Sequence, residues 1–467
     1  MKSIVYQLLP RLWGNGKFSS IDAGSLAYIK GLGARFVWYT GVIRHATSAT
    51  EKVVKGDAGS PYAIVDYYDV NPYLADDSDA RMEEFLELVE RTHQAGLKVI
   101  IDFVPNHVAR ENVNFGKDDD TGVHWAPEND FFYYPGEALK LPLASAYTEF
   151  PAKASGNAFT SAPGVNDWWE TVRLNYCDFH TATWDKMLDI LRFWAGKGVD
   201  GFRCDMVEMV PPPFMKWLIA TLKTEFPQLV FVAEVYQKDR YRMYVEEVGF
   251  DFLYDKCGLY DVLRAVTCSG ASARGITGNW QFLGDLQPHM LNFLENHDEQ
   301  RIASDFFCGS AEKAHAALAV SMLLNTAPFM LYFGQETGER GMDAEGFSGL
   351  DGRTSIFDWA ARHQGPSGQV LPAYRELLDL ASRPAFADGK TFDLCYCQDG
   401  AFDPDRHFAW LRSDGTRTFL MAANFGPEAD ITLRIPPEAL DYLGVKAVRT
   451  VYSVTVKAFD YAVIPVQ

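Results

Sequence analysis

The sequence predicts an α/β fold, a (β/α)8 TIM barrel with a small domain inserted after its third strand and a C-terminal antiparallel β-sandwich. Short apolar segments alternate with amphipathic helices over most of the chain, which is typical of a parallel sheet covered by helices. One stretch rich in Gly, Pro, Asn and Asp interrupts this alternation. Past about residue 385, short segments of alternating polarity separated by turns indicate a β-sandwich.

Eight near-continuous apolar segments are the predicted barrel strands. In chain order they read IVYQLLP, ARFVWYTG, LKVIIDFVPNH, VDGFRCD, LVFVAEV, FDFLYD, HMLNFLENHD and PFMLYFGQE. Between the second and third of these, DARMEEFLELVERTHQAG repeats apolar residues at helical spacing and ends at Gly96. WDKMLDILRFWAGKG has the same pattern before the fourth strand and ends in two glycines.

The spacing between polar residues at the ends of the predicted strands indicates where the domains begin and end. A barrel of about 250 residues allots roughly 31 residues to each β/α unit. The interval from Asp205 to Glu234 fits one unit and the interval from Glu234 to Asp298 fits two, whereas that from Asp102 to Asp205 is much too long for one. We therefore predict a barrel over residues 1–107 and 184–384, an inserted domain over 108–183, and a β-sandwich over 385–467.

Composition narrows the classes of partner. The 467-residue chain carries a net charge of −19, which argues against nucleic acid because its phosphates require clustered Lys and Arg. No apolar run approaches the roughly 20 residues of a membrane span, so no membrane partner is expected. Seven cysteines without metal-site spacing, and an amino terminus without the regions of a signal peptide, predict a cytoplasmic protein with reduced thiols.

Several polar residues end the predicted barrel strands, where the active sites of such barrels lie. They are His107 after the third strand, Arg203 and Asp205 on the fourth, Glu234 on the fifth, and His297 and Asp298 after the seventh. Each residue alone has an ordinary explanation as a helix cap, a structural histidine or half of a buried ion pair. Together they predict one site at one end of the barrel.

Two carboxyl groups on adjacent strands suit the cleavage of glycosidic bonds with retention of configuration. Arg203 shares a strand face with Asp205 and favours its ionised form, which predicts Asp205 as the nucleophile. Glu234 lacks an adjacent cation and lies among apolar residues, so we predict that burial and neighbouring charge hold it protonated as a general acid. Asp298 would stabilise positive charge at the sugar carbon.

Two histidines complete this predicted site. His107 and His297 would hydrogen-bond the hydroxyl groups of the sugar ring. A metal site built from the same residues is the competing interpretation, but no H-x-x-x-H or similar ligand spacing supports it.

The segments DFVPNH, GFRCD, VAEV and ENHD, in this order, resemble the four sequence regions that characterise glycoside hydrolase family 13, the α-amylase family. The resemblance implies Asp205 as nucleophile, Glu234 as acid/base and Asp298 as transition-state stabiliser. It also implies substrate-binding positions for four further residues, Tyr62, His107, Arg203 and His297. Tyr62 would be an aromatic platform beneath the sugar, or alternatively a packing residue at the barrel rim.

Departures from the family pattern bear on substrate and metal. Many α-amylases carry Lys-His where this chain has Glu208 and Met209, and exo-acting α-glucosidases often carry G-Y-D around the position of Tyr62, where this chain lacks the aspartate. Arg173 stands where an aspartate commonly binds calcium, and Asn106 remains as a possible ligand. The calcium ligand set looks incomplete, so no cofactor is expected.

Three further features have two interpretations each. Trp168 and Trp169 either stack on sugars or pack the insertion against the barrel, and Arg301 lies either near the catalytic acids or beside a surface acid. The loop GMDAEGFSGLDGRTSIFDW, with Asp351 and Arg353, is a candidate for substrate contact.

The expected function is that of a retaining glycoside hydrolase acting on α-1,4-glucans such as starch, glycogen or maltodextrins, most simply an endo-acting α-amylase. A transglycosylase with the same double-displacement mechanism differs only in whether water or a sugar hydroxyl resolves the intermediate. A noncatalytic carbohydrate-binding barrel is the alternative from another class. The expected partner is an α-glucan oligosaccharide or polysaccharide.

Overall fold

The computed structural model describes residues 2–115, 131–177, 179–341, 352–353, 356–359, 369–446 and 449–466. Its strands are β1 Ile4–Leu8, β2 Ala34–Tyr39, β3 Ile43–His45, β4 Ile64–Val70, β5 Lys98–Phe103, β6 His107–Ala109, β7 Thr171–Arg173, β8 Gly201–Cys204, β9 Val230–Ala233, β10 Phe252–Tyr254, β11 Met290–Phe293, β12 Phe329–Tyr332, β13 Lys390–Asp393, β14 His407–Ser413, β15 Thr418–Asn424, β16 Ala429–Arg434, β17 Val451–Val456 and β18 Tyr461–Pro465.

The α-helices are α1 Ala23–Gly31, α2 Arg81–Gln94, α3 Ala182–Gly196, α4 Pro212–Glu225, α5 Asp261–Ser269, α6 Arg274–Leu283, α7 His315–Leu323, α8 Pro372–Ser382, α9 Pro384–Ala387 and α10 Pro437–Leu443. Across the described ranges, none of these helices combines the length and apolar character needed to cross a membrane.

Eight parallel strands close into a barrel in the order β1, β2, β5, β8, β9, β10, β11 and β12, with β12 pairing back onto β1. Each of the eight predicted segments contains one of these strands, so the predicted barrel is confirmed. Because ring order follows chain order, the fifth strand β9 stands across the barrel from the first strand β1, and the second and eighth strands flank β1.

The barrel is covered by helices whose apolar faces the sequence predicts. In α3, Met187, Ile190 and Trp194 are fully buried, and in α2, Phe85 is buried. The chain turns away from α2 at Gly96, whose φ of +72° lies in the left-handed region that glycine adopts without strain. Both helices therefore start and stop close to their predicted positions.

The loops that follow the second and third barrel strands are long and lie at the carboxyl ends of the strands. After β2, strands β3 and β4 form an antiparallel hairpin that the sequence analysis did not predict. After β5, strands β6 and β7 pair across the insertion, most of whose described residues lie outside helices and strands. The numerical domain boundaries remain a prediction.

The C-terminal part contains two antiparallel sheets, one in the order β13, β14, β15, β18 and one of β16 and β17. One face of the larger sheet, with Leu411 and Leu420, packs with the β16 and β17 hairpin in a core of its own. The other face, with Trp410 and Met421, belongs to the same hydrophobic core as the barrel. This arrangement confirms the predicted C-terminal β-sandwich and shows that both faces of its larger sheet are buried.

Candidate active site

A cavity of about 340 Å³ lies at the carboxyl ends of the barrel strands. The described residues that line it are Lys55, Ser60, Tyr62, His107, Trp168, Glu170, Thr171, Asp205, Met206, Glu234, Tyr236, Asp298, Ile356 and Phe357. Five of the seven predicted site residues are among them. The other two, Arg203 and His297, lie directly behind the cavity wall and are at most 1% exposed.

Strand register brings the two main carboxylates together. Strands β8 and β9 pair Cys204 with Ala233, so the next residues along, Asp205 and Glu234, emerge side by side. The backbone N–H of Glu234 continues the ladder by donating to the carbonyl of Cys204 at 3.1 Å. Each carboxylate therefore leaves the end of its strand at the same level of the barrel.

Arg203 contacts both of these carboxylates. Its Nη1 donates to Asp205 Oδ1 at 2.7 Å, and its Nη2 lies 2.9 Å from Glu234 Oε2. The prediction that Glu234 lacks an adjacent cation is therefore wrong. The sequence places Arg203 beside Asp205 on one strand, but only the pairing of β8 with β9 brings its guanidinium to Glu234 as well.

Aromatic rings hold the Arg203 guanidinium in place. Its central carbon lies 5.5 Å from the ring centroid of Trp38, 5.3 Å from that of Tyr62 and 5.5 Å from that of Tyr254. Burial lowers the pKa of Arg203, but Glu234 and the other surrounding anionic groups outweigh it and raise that pKa well above its ordinary value. Arg203 therefore carries a permanent positive charge.

Asp205 experiences opposing electrostatic effects. Burial raises its pKa, the Arg203 guanidinium lowers it and Glu234 raises it again, with a net shift well above the ordinary value. Arg203 therefore favours the ionised form of Asp205, as the sequence predicts, but burial and the charge of Glu234 outweigh its effect. The Arg203 guanidinium contacts both carboxyl groups, so the charge of Glu234 acts directly on Asp205.

Glu234 is held by two donors besides its contact with Arg203. The Tyr236 hydroxyl donates to Oε1 at 2.6 Å, and the backbone N–H of Met206 donates to Oε2 at 3.0 Å. Tyr236 is 37% exposed, so the Glu234 side of the cavity is open to solvent. These bonds fix the orientation of the carboxyl group toward the open side.

Asp298 forms a third acidic corner of the site. His297 Nε2 lies 3.0 Å from Asp298 Oδ2 and also hydrogen-bonds the hydroxyl of Tyr62. Burial raises the pKa of Asp298, but His297 and Arg203 outweigh it and lower that pKa to about 2. Asp298 is therefore ionised throughout the range in which enzymes usually work.

The histidines occupy different surroundings. His297 Nδ1 lies 2.8 Å from Gln7 Nε2 on β1, which fixes the ring from below. His107 faces the cavity beside Trp168, with ring centroids 5.1 Å apart, and burial lowers its pKa to about 3. His107 is therefore a neutral side chain able both to donate and to accept hydrogen bonds.

The structure adds site residues that sequence reasoning missed. Asp102 Oδ1 lies 3.7 Å from Arg203 Nη1, and its Oδ2 accepts from Trp38 at 3.1 Å. Tyr236 follows Glu234 at the period-two spacing of an extended chain, a signal that would have pointed to it. Lys55 and Glu170 come from irregular loops, where no periodic signal exists.

The remaining residues that the sequence analysis singled out differ in their position relative to the cavity. Trp168 lines the cavity, whereas Trp169 is 3% exposed and is not among the described residues that line it. Arg301 is fully buried, pairs with the equally buried Glu295 at 2.8 Å and is not among the described residues that line the cavity. Asp351 lies outside the described residues.

No cluster of three or more His, Cys, Asp or Glu side chains suited to a metal ion occurs in the described ranges. Arg173, at the position where the family commonly has a calcium ligand, donates from Nη2 to the carbonyl of Met209 at 3.2 Å. A cation at that position disfavours calcium there. The side-chain amide of Asn106 donates to the carbonyl of Gly156 at 3.0 Å.

Comparison with known proteins identifies relatives of this site and fold. Residues 16–228 match the family described as "Alpha amylase, catalytic domain". The chain is 27% identical over 442 residues to "Alpha-amylase MalA" of Haloarcula japonica, covering 91% of this chain and 56% of that protein. It is 26% identical over 299 residues to "Alpha-amylase 3" of Dictyoglomus thermophilum, covering 60% and 54%. The chain thus spans about half the length of these curated relatives.

A solved structure with the same fold is that of a noncanonic maltogenic alpha-amylase from Thermotoga neapolitana. It superposes with a TM-score of 0.69 at 22% identity, over 99% of this chain and 96% of that one. The coverage extends through the barrel, the insertion and the C-terminal sheets, so the whole architecture is shared.

Proposed function

Because residues 16–228 match the alpha-amylase catalytic domain, we propose that the chain is a retaining glycoside hydrolase acting on α-1,4-glucans such as starch, glycogen or maltodextrins. The observation that carries this proposal is the contact of one buried guanidinium with two cavity-lining carboxylates, Asp205 and Glu234. The two η nitrogens of Arg203 lie close together, so the carboxylates that they contact face each other across a short gap. Retaining glycosidases need a separation of about 5–5.5 Å.

In the first proposed step, Asp205 attacks the anomeric carbon while Glu234 protonates the departing glycosidic oxygen. Arg203 holds Asp205 Oδ1, and no described residue donates a hydrogen bond to Oδ2, which is left for the attack. The productive protonation state of the two carboxyl groups has Asp205 ionised and the proton on Glu234. Bond formation by Asp205 then gives a covalent glycosyl ester and a free leaving group.

In the second proposed step, Glu234 takes a proton from water, and the resulting hydroxide oxygen attacks the anomeric carbon and displaces Asp205. Tyr236 and the Met206 N–H keep the Glu234 carboxyl directed toward the solvent-facing side, where that water enters. Asp298, ionised because His297 and Arg203 lower its pKa, stabilises the positive charge that develops on the sugar in both steps.

We also propose that the substrate ring in this site stacks on Tyr62 and is held by His107 and His297. Tyr62 and His107 line the cavity, and Tyr62 is anchored by its hydrogen bond to His297. The chain is proposed to work in the cytoplasm and without a metal, which its seven free cysteines and the Arg173 substitution support. Treatment with EDTA should leave the activity unchanged.

Product analysis tests the proposed function. With maltoheptaose as substrate, NMR should detect α-configured reducing ends as the first products, and Asp205→Asn should abolish them. Products longer than maltoheptaose would instead establish a transglycosylase that uses the same carboxylates. Sugar binding without turnover by the wild-type chain would establish a carbohydrate-binding protein and refute the proposal.

A further inference from the structure

We infer that Lys55 and Glu170 close the sugar-binding cavity opposite Glu234 and direct the enzyme to the non-reducing ends of α-glucan chains. This inference rests on the proposed function and deepens it. It departs from the endo-acting cleavage that the sequence predicts. The argument combines an ion pair inside the cavity, the order of strands in the barrel and the contacts between two loops.

Lys55 and Glu170 form an ion pair in the cavity wall. Lys55 Nζ lies 3.7 Å from Glu170 Oε2, and the two side chains are only 10% and 5% exposed. Both line the cavity together with Tyr62 and Trp168. Within the described ranges, Glu170 Oε2 accepts no hydrogen bond, although it is buried. A buried carboxylate oxygen without a donor is costly, and a ligand hydroxyl would satisfy it.

Strand order places this pair on the side of the cavity away from the leaving group. Lys55 belongs to the loop after β2, the second barrel strand, whereas Glu234 follows β9, the fifth. In the closed ring, β9 stands across from β1, and β2 is the neighbour of β1. The proposed acid protonates the oxygen of the leaving group, so the sugar retained on Asp205 extends across the barrel toward Lys55.

Residues 356–359, which follow the eighth barrel strand, contact the loop after the second strand, and the two segments form this wall. The backbone N–H of Ala58 donates to the carbonyl of Phe357 at 2.9 Å, and the N–H of Trp359 donates to Asp57 Oδ1 at 2.7 Å. Gly56 has a φ of +73°, and an added Cβ there would lie 2.3 Å from the carbonyl oxygen of Phe357. The two backbones therefore touch, and the pair of Lys55 with Glu170 connects the same loop to the insertion.

The size of the cavity and the chemistry of its wall both suit a terminal sugar. Its volume of about 340 Å³ is at the small end of the range of roughly 300–1,000 Å³ found for ligand pockets. A terminal glucosyl unit carries free hydroxyl groups that can accept from the Lys55 ammonium and donate to the Glu170 carboxylate. An internal unit has lost the proton on its 4-oxygen and carries a further sugar, which would meet the wall.

A pair of substrates that differ only at the non-reducing end tests the inference. One is 4-nitrophenyl maltoheptaoside, and the other carries a 4,6-O-ethylidene group on its terminal sugar. We expect the wild-type enzyme to cleave the free-ended substrate with a kcat/KM at least about 10²-fold higher, because a site built to bind a hydroxyl rejects the analogue that lacks it. Equal kcat/KM values on the two substrates would overturn the inference and leave the proposed function standing.

Variants of the pair show which residues cause the discrimination. Lys55→Met and Glu170→Gln should lower kcat/KM on the free-ended substrate, mainly through KM, and leave the blocked substrate unaffected, whereas Lys55→Arg should restore part of the loss. A merely structural role would lower both substrates in parallel, which would overturn the inference. Lys153→Met is the matched control, because Lys153 pairs with Glu149 at 3.6 Å in the same insertion but does not line the cavity.

A binding measurement keeps the two proposals separable if no cleavage is detected. Calorimetry of the Asp205→Asn variant with maltotriose and with its ethylidene-blocked form requires no turnover. Tighter binding of the free-ended sugar, lost in the double variant with Lys55→Met, would support the inference even if the wild-type chain proved inactive. Equal binding of both sugars would overturn it.

Discussion

Two fully buried arginines in the barrel, Arg203 and Arg301, have similar surroundings, but the carboxylates that they contact differ in whether they face the cavity. Each is paired with a carboxylate, and each guanidinium packs over aromatic rings. Arg203 contacts Asp205 and Glu234, which face a cavity. Arg301 contacts Glu295, whose other oxygen accepts from the backbone N–H of Ile302 at 2.8 Å. A buried ion pair by itself therefore does not show whether its role is catalytic or structural. What distinguishes the two roles is whether the carboxylate faces the cavity.

Among the substitutions that distinguish the surroundings of Arg203 from those of Arg301, Asp205→Asn should have the largest effect on activity. The proposed nucleophile is removed while the size of the side chain is kept, so kcat should fall by at least about 10⁴-fold. The melting temperature should stay the same or rise, because a carboxyl group crowded by Glu234 is no longer buried. Steady-state kinetics and thermal unfolding check both expectations. A large loss of stability would instead place Asp205 in the same structural class as Glu295.

Glu295→Gln should have the reverse outcome. Glu295 accepts hydrogen bonds from Arg301 and from the backbone N–H of Ile302, and Gln has only one oxygen to accept them, so one buried donor loses its acceptor at a cost of about 1–3 kcal/mol of unfolding free energy. Folded enzyme should keep its kcat/KM within about threefold, as expected for a residue that does not line the cavity. Urea unfolding measures the loss. The exposed pair of Asp285 with Arg242 supplies the control, since Asp285→Asn should leave stability unchanged. If Glu295→Gln lowered kcat/KM as much as Asp205→Asn does, the proposed distinction between a catalytic and a structural carboxylate would be wrong.

Two tyrosines allow a finer comparison. Tyr236 donates to Glu234 at 2.6 Å, and Tyr6 donates to the buried Glu336 at 2.8 Å. Tyr236→Phe should lower kcat roughly 10- to 100-fold, the value of a hydrogen bond to a charged group. Tyr6→Phe removes a bond of the same type and should change only stability. Equal kinetic effects of the two substitutions would contradict the proposed role of Tyr236.

The most gradual expected effect is a pH dependence of stability. Burial raises the pKa of Glu295 to about 7 in the folded chain, with Arg301 opposing that shift. The folded state therefore binds this proton more tightly than the unfolded state, so its stabilising contribution is complete below about pH 4.5 and is lost as the pH rises to 7. Relative to Glu295→Gln, the wild-type unfolding free energy should fall by up to about 1.4 kcal/mol per pH unit across that interval. Parallel pH profiles for the two proteins would disprove this.

Most of the fold could be predicted from the sequence because each barrel strand is recognisable from its local pattern of apolar residues. Eight apolar segments and the intervals between Asp205, Glu234 and Asp298 depend only on residue type and spacing along the chain. The contact of Arg203 with Glu234 depends on how β8 and β9 align, which involves residues far apart in sequence. Spacing therefore predicts which residues reach the catalytic face, and strand register decides which of them touch.

Loop residues were the least predictable part of the site. Lys55 and Glu170 lie in segments without regular period, and they meet only because the loop after β2 folds against the insertion. The rise in the pKa of Asp205 could not be predicted from the sequence either, because it is caused mainly by burial, which depends on the folded structure. The pairing of Arg301 with Glu295 was not predicted either, since nothing in its neighbourhood along the chain marks Glu295 as its partner.

The larger C-terminal sheet is buried on both faces, and one face continues the hydrophobic core of the barrel through Trp410 and Met421. A chain truncated before β13 would leave that part of the barrel helices bare, and such a patch promotes aggregation. The barrel and the terminal sheets should accordingly unfold in one cooperative transition, so the cavity end of the barrel owes its rigidity partly to residues that do not line the cavity.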